Sequence, residues 1–275
     1  MSKDSSRAGS SKDSPPQQSL FKRLIYGRAK AKKDFSRPAR VISTTLIVFI
    51  ASQFLAAIFL GLVLSLTHPD SNVVTILEES TSAQFFYILL AEGVAVGAVL
   101  LLLHGRNLSH RAIGLIRPRF SDVWKGLLGF AVFYGLLIFI VGILLQIFPG
   151  IDTDQQQDIG FQNLDSSSDT VLAFVALALI PPIGEEVLIR GYLFSGLRSQ
   201  WRFVKAGLVT SLIFGVAHLQ LGSGAPLWLA AIDTFVLSLV LVYLREKTGA
   251  LYAGMLVHAL NNMIAFGVRF HLGWF

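Results

Sequence analysis

The sequence predicts an all-α, polytopic transmembrane helix bundle of about seven spans (six to eight), preceded by a disordered basic N-terminal tail. Three observations predict it. Hydrophobic residues make up 53% of the 275 and charged residues only 15%, where soluble domains carry about 25% charge. Mean hydropathy is +0.62. The apolar residues also gather into seven runs, most of them near the ~20 residues that a spanning helix needs. A disordered protein and an ordinary soluble enzyme are excluded on composition. The absence of cysteine excludes disulfides, thiolate metal sites and a cysteine nucleophile.

Residues 1–40 form the tail. They are rich in Ser, Pro and Lys, and hold 11 of the 23 Lys and Arg but only three of the 17 acidic residues. A basic arm before an apolar run is an orientation signal and a contact for anionic headgroups, so the expected partner is the lipid bilayer and not nucleic acid. The arm does not read as a cleaved signal peptide, because the apolar run that follows is too long for one. The seven runs cover 41–66, 83–104, 126–148, 171–197, 206–221, 226–244 and 250–268. The fourth contains Pro181-Pro182 and Gly184, where the helix is expected to break or restart, since proline removes a donor and suits a first turn. Loops with Arg106, Arg111, Arg117, Arg119 and Lys125, then Arg198, Arg202 and Lys205, then Arg245 and Lys247, alternate with loops lacking a base; residues 149–170 hold five Asp. The positive-inside rule reads this as a multi-pass protein of the plasma membrane, N-terminus cytoplasmic and, with seven spans, C-terminus outside.

Ionisable groups within spans cost about 2.5–3.5 kcal/mol each on insertion scales, so each needs a reason. They are Glu92, Glu185, Glu186, Arg190, His218, Asp233 and His258, with Asn261 and Asn262 beside the last. Counting from the nearest basic loop at ~1.5 Å per residue, Glu185, His218 and His258 lie at a common depth of roughly 15–20 Å, although they come from three helices. Glu92 and Asp233 fall at about that level too. A shared depth points to one buried polar site. Glu186 precedes Arg190 by four residues, the favourable order for a salt bridge, and Glu185 is turned about 100° away. His258 and Asn262 share a helical face. A carboxylate and a histidine together deprotonate and orient a water; a second histidine and an amide donate to the oxyanion formed when that water attacks a carbonyl. The Glu/His set also suits a Zn²⁺ that acidifies the water, with Glu185, His218 and His258 as ligands. Either route is peptide hydrolysis within the membrane. The same buried groups also suit the relay of a proton-coupled transporter or channel.

Three motifs carry a family resemblance: Glu185-Glu186-Val187-Leu188-Ile189-Arg190, Phe214-Gly215-Val216-Ala217-His218 and His258-Ala259-Leu260-Asn261-Asn262. In this order, each in its own apolar run, they resemble the CPBP family of CAAX prenyl proteases and bacteriocin-processing or self-immunity proteins. The resemblance covers about residues 170–265. It implies that Glu185 is the general base, His218 its partner, His258 and Asn262 the oxyanion-stabilising pair, Arg190 the residue that orients the glutamates, and Glu186 a support. It implies an intramembrane endopeptidase acting on a membrane-associated or prenylated peptide, with or without zinc. Catalytically idle immunity or scaffold relatives belong to the same group. On this reading residues 41–169 are N-terminal membrane helices, 170–268 the catalytic region and 269–275 a C-terminal tail. No motif claims Glu92 or Asp233, for which structural hydrogen bonding is expected. The patterns of other intramembrane proteases, His-Glu-x-x-His, Gly-x-Ser-x-Gly and Gly-x-Gly-Asp, do not occur.

Overall fold

The computed structural model describes residues 35–150, 159–219 and 226–270. Most of the expected basic tail, the acidic stretch 151–158 and residues 271–275 lie outside the described residues. The described residues form helices and no strand. In chain order these are α1 (Pro38–Thr67), a short α2 (Val73–Glu79), α3 (Thr81–His104), a 3₁₀ turn (His110–Ile113), α4 (Phe120–Ile147), α5 (Ser167–Arg198), α6 (Phe203–Ala217), α7 (Trp228–Thr248) and α8 (Tyr252–Arg269). Helices α1, α3, α4, α5 and α7 are long and apolar enough to cross a membrane, and α6 is apolar but shorter. Helix α8 is continuous and carries the polar His258, Asn261 and Asn262 within its apolar run. Each of the seven apolar runs contains a helix among the described residues, and the chain is a multi-pass membrane protein.

Burial sorts the helices into centre and wall. Half of the most apolar stretch of α5 and 44% of that of α7 are buried, against 17%, 22% and 11% for α1, α3 and α4. The wall helices bury one narrow stripe each: Val41, Thr45, Val48, Ser52 and Ala56 on α1, and Ala91, Ala95, Val99 and Leu103 on α3. Spacings of three and four put each stripe on one helical face, and its small residues let backbones approach. The outward faces carry large apolar side chains, among them Ile47, Phe54 and Ile58 on α1, and Leu128, Ile138 and Phe139 on α4. Water would not tolerate so broad an apolar surface, whereas lipid solvates it.

Local chemistry sets the helix ends. Asn72 caps α2 and Ser80 caps α3. Helix α4 starts at Phe120, six residues before its apolar run, because Asp122 accepts the Arg119 backbone N–H at 3.0 Å. At the end bearing the basic loops, Arg198 pairs with Glu246 at 2.9 Å and joins α5 to α7. Arg245 donates to Ser195 Oγ at 3.1 Å and lies over Gly114, where a Cβ would stand 2.7 Å from its guanidinium carbon.

The proline pair does not break α5, contrary to the sequence expectation. The helix runs through, changing from α to π over Val175–Leu179, back to α over Ile180–Glu185, and to π again over Glu186–Phe194. The Ile180 N–H reaches the carbonyl of Val175, five residues back. Proline lacks an N–H and its ring strikes the carbonyl four residues earlier; a widened π turn absorbs that mismatch without ending the helix. No new helix N-terminus forms beside Glu185.

Candidate active site

Helices α5, α6 and α8 bring the expected polar residues to one place. Glu186 and Arg190 are both essentially unexposed and lie 2.8 Å apart. This buried pair forms although the segment between them is π-helical. His258 of α8 stands between the two glutamates, with Nε2 3.7 Å from Glu185 Oε2 and Nδ1 3.6 Å from Glu186 Oε1. Both distances exceed a direct hydrogen bond and lie within ion-pair range. The approach depends on Gly254, one helical turn before His258: a Cβ there would stand 2.8 Å from Glu186 Oε2.

His218 follows the last residue of α6, where the helix has ended. Its Nδ1 is 2.8 Å from the Phe214 carbonyl. A carbonyl only accepts, so the proton is assigned to Nδ1 and Nε2 is the acceptor of the neutral ring. Phe214 organises the surroundings: its ring lies 4.2 Å from the Arg190 guanidinium and packs edge-on against His218 at 4.7 Å and His258 at 5.8 Å. The sequence shows Phe214 only as a motif letter, and its packing role needs the structure to be seen.

Glu185, His218, Glu92 and Phe214 line a cavity of about 40 Å³ whose outer wall is formed by Leu46 and Phe49 of α1. That is a few times the space one water needs. Glu185 is more accessible than Glu186, with 19% of its side chain exposed against 1%. Glu92 of α3 approaches it closely enough for the two carboxylates to interact electrostatically. It packs against Gly184, where a Cβ would collide with the Glu92 carboxylate. The signal in the sequence was the shared depth of Glu92 together with a glycine immediately before Glu185.

Two amides that the sequence places beside His258 have other partners. Asn261 accepts from Tyr134 Oη of α4 at 3.2 Å. Asn262 donates one Nδ2–H to the backbone carbonyl of Leu177 at 3.0 Å, which ties α8 to α5.

Residues 167–264 match the family model described as Type II CAAX prenyl endopeptidase Rce1-like. Over this stretch the chain is similar to the Rce1-like family. The match is well under half of the chain, yet it spans the helices that supply Glu185, Glu186, Arg190, Phe214, His218, Asp233, His258 and Asn262. Glu92 and α1, which complete the cavity, lie outside it. The chain is also 30% identical over 95 residues to an uncharacterized 24.3 kDa protein of Escherichia coli, a stretch that covers 34% of this chain and 42% of that protein. No solved structure matches.

Among the described residues, no three His, Asp or Glu side chains converge as ligands. As they stand, Glu185, His218 and His258 are not drawn together as a ligand set.

Proposed function

We propose that the chain is an intramembrane endopeptidase that hydrolyses a peptide bond of a membrane-associated or prenylated, CAAX-type substrate. The observation that carries this reading is the meeting of Glu185 and His218 on one small buried cavity, with His258 at 3.7 Å from Glu185. The Rce1-like match over the same helices supports it.

In this reading a water in the cavity attacks the scissile carbonyl carbon while Glu185 takes its proton. The Nε2 acceptor of His218, fixed by the Nδ1 bond to Phe214, orients that water. His258 offers a ring N–H to the oxygen on which negative charge develops. Arg190 compensates the charge of Glu186, which keeps Glu186 a fixed neighbour of His258. When the C–N bond breaks, the proton held by Glu185 passes to the leaving amine, and Glu185 returns to its starting state. The alternation of basic and base-free loops supports a cytoplasmic N-terminus, and the plasma membrane is the proposed location.

The test compares new protein termini in membranes that contain wild type or Glu185→Ala at matched levels. Termini found only with wild type are expected, and their sequences give the substrate class. Identical termini would overturn the reading. One observation favours a proton relay: Glu92 lines the same cavity as Glu185. A relay requires pH-dependent ion flux in liposomes and equal damage from Glu92→Gln and Glu185→Gln.

A further inference from the structure

The carbonyl of Leu177 has no donor within its own helix. Helical donors lie three, four or five residues further along the chain. Ile180 gives its N–H to Val175, and positions 181 and 182 are prolines, which have none. A carbonyl without a donor is costly inside a membrane, where no solvent replaces the lost bond. Another helix supplies the partner: Asn262 Nδ2 of α8, at 3.0 Å.

That bond is one rung of an antiparallel register between α5 and α8. Phe174 packs edge-on against Phe266 at 5.4 Å. Leu177 meets Asn262, Glu185 meets His258 at 3.7 Å, and Glu186 lies against Gly254. The residue numbers rise on one helix as they fall on the other. Leu177–Asn262 is the rung where a directional bond fixes the two backbones lengthwise, immediately beside the rung that sets Glu185 against His258.

We propose that Asn262 is a positioning residue: its amide fills the backbone gap created by Pro181-Pro182 and so locks α5 and α8 in the register that places Glu185 against His258. This rests on the reading of Glu185 and His258 as members of one reaction site; the bond to Leu177 uses one of the two amide N–H groups, so the positioning role stands beside the expected donation to the oxyanion. The need for the amide comes from the prolines. Restoring backbone N–H groups at 181 and 182 therefore removes the need.

The test is a double-variant cycle in the full chain, in detergent and in liposomes, with Asn262→Ala, Pro181→Ala/Pro182→Ala, and all three together. Asn262→Ala is expected to lower the unfolding midpoint by roughly 3–8 °C. It is also expected to lower kcat at least tenfold per folded molecule, with KM little changed. Adding the two proline replacements restores most of the midpoint loss and raises kcat above that of Asn262→Ala. If Asn262→Ala does not accumulate, accumulation recovered in the triple variant is the same result. A triple variant with the midpoint and kcat of Asn262→Ala overturns the proposal. Strictly additive midpoints overturn it as well. The midpoints need no substrate: were Glu185→Ala to cleave like wild type, the endopeptidase reading would fail while the cycle still decided the pairing of Asn262 with Leu177.

Discussion

At the scale of single residues, Phe214 shows how an apolar side chain serves a polar site. Its ring meets the Arg190 guanidinium on one side and two imidazoles on others. Phe214→Leu keeps the apolar volume but loses the cation–π contact and the edge packing, worth about 0.5–2 kcal/mol. A tenfold or greater loss of cleavage is expected with only a modest fall in the unfolding midpoint; unchanged turnover would show that the ring is filler. The buried Glu186–Arg190 pair behaves differently. Removing one partner strands a charge and costs about 3–5 kcal/mol, whereas replacing both with apolar residues costs much less. Arg190→Met alone should therefore destabilise the protein more than Glu186→Leu/Arg190→Met, as read by unfolding in detergent. These positions differ in how far the sequence exposed them. Glu186 and Arg190 were legible as a pair because i,i+4 spacing is a property of one helix. Asn262 was legible as a polar residue facing inward, but not as the partner of Leu177, because a backbone carbonyl leaves no mark in the sequence. The nearest sign was Pro181-Pro182, which announces missing donors without saying who replaces them.

At the scale of elements, α5 is where sequence reading and structure part. Proline and glycine in one apolar run signal a break, and local rules give no preference between a break and a π turn. The choice is made by neighbours: α3 packs on Gly184, and α8 supplies a donor to the carbonyl left open. The contact with α3 has a direct test. Alanine is favoured over glycine in a helix by about 0.8–1.0 kcal/mol, but overpacking costs about 1–3 kcal/mol. Gly184→Ala should thus destabilise the protein on balance, and should lower cleavage by moving Glu185. Much of that loss should vanish when Glu92→Ala is added, because the colliding carboxylate is gone. If Gly184→Ala is as stable and active as wild type, the close approach of α3 to α5 is wrong. Glu92 itself lies outside the matched family region, so no motif drew attention to it; only its depth did.

At the scale of the whole molecule, the number of helical segments and the alternation of basic and base-free loops were visible in composition, because the bilayer constrains length and charge so strongly. The partition into central and wall helices was not, since α1, α4 and α5 are all apolar runs and differ only in what surrounds them. The proposed orientation has a convenient check in a chain without cysteine. Ser71→Cys should react with an impermeant thiol reagent added outside intact cells, and Gln200→Cys only after the membrane is opened; the reverse pattern would invert the topology. The cavity wall made by Leu46 and Phe49 carries a last consequence. Both residues line the cavity and are also exposed, at 43% and 37% respectively, on the outer face of the bundle. A substrate anchored in the same bilayer meets that face by sliding in a plane, so the concentration that governs its capture is a surface density. Diluting the vesicles with buffer should leave the initial rate per enzyme unchanged, whereas diluting the protein and substrate with inert lipid should slow it in proportion.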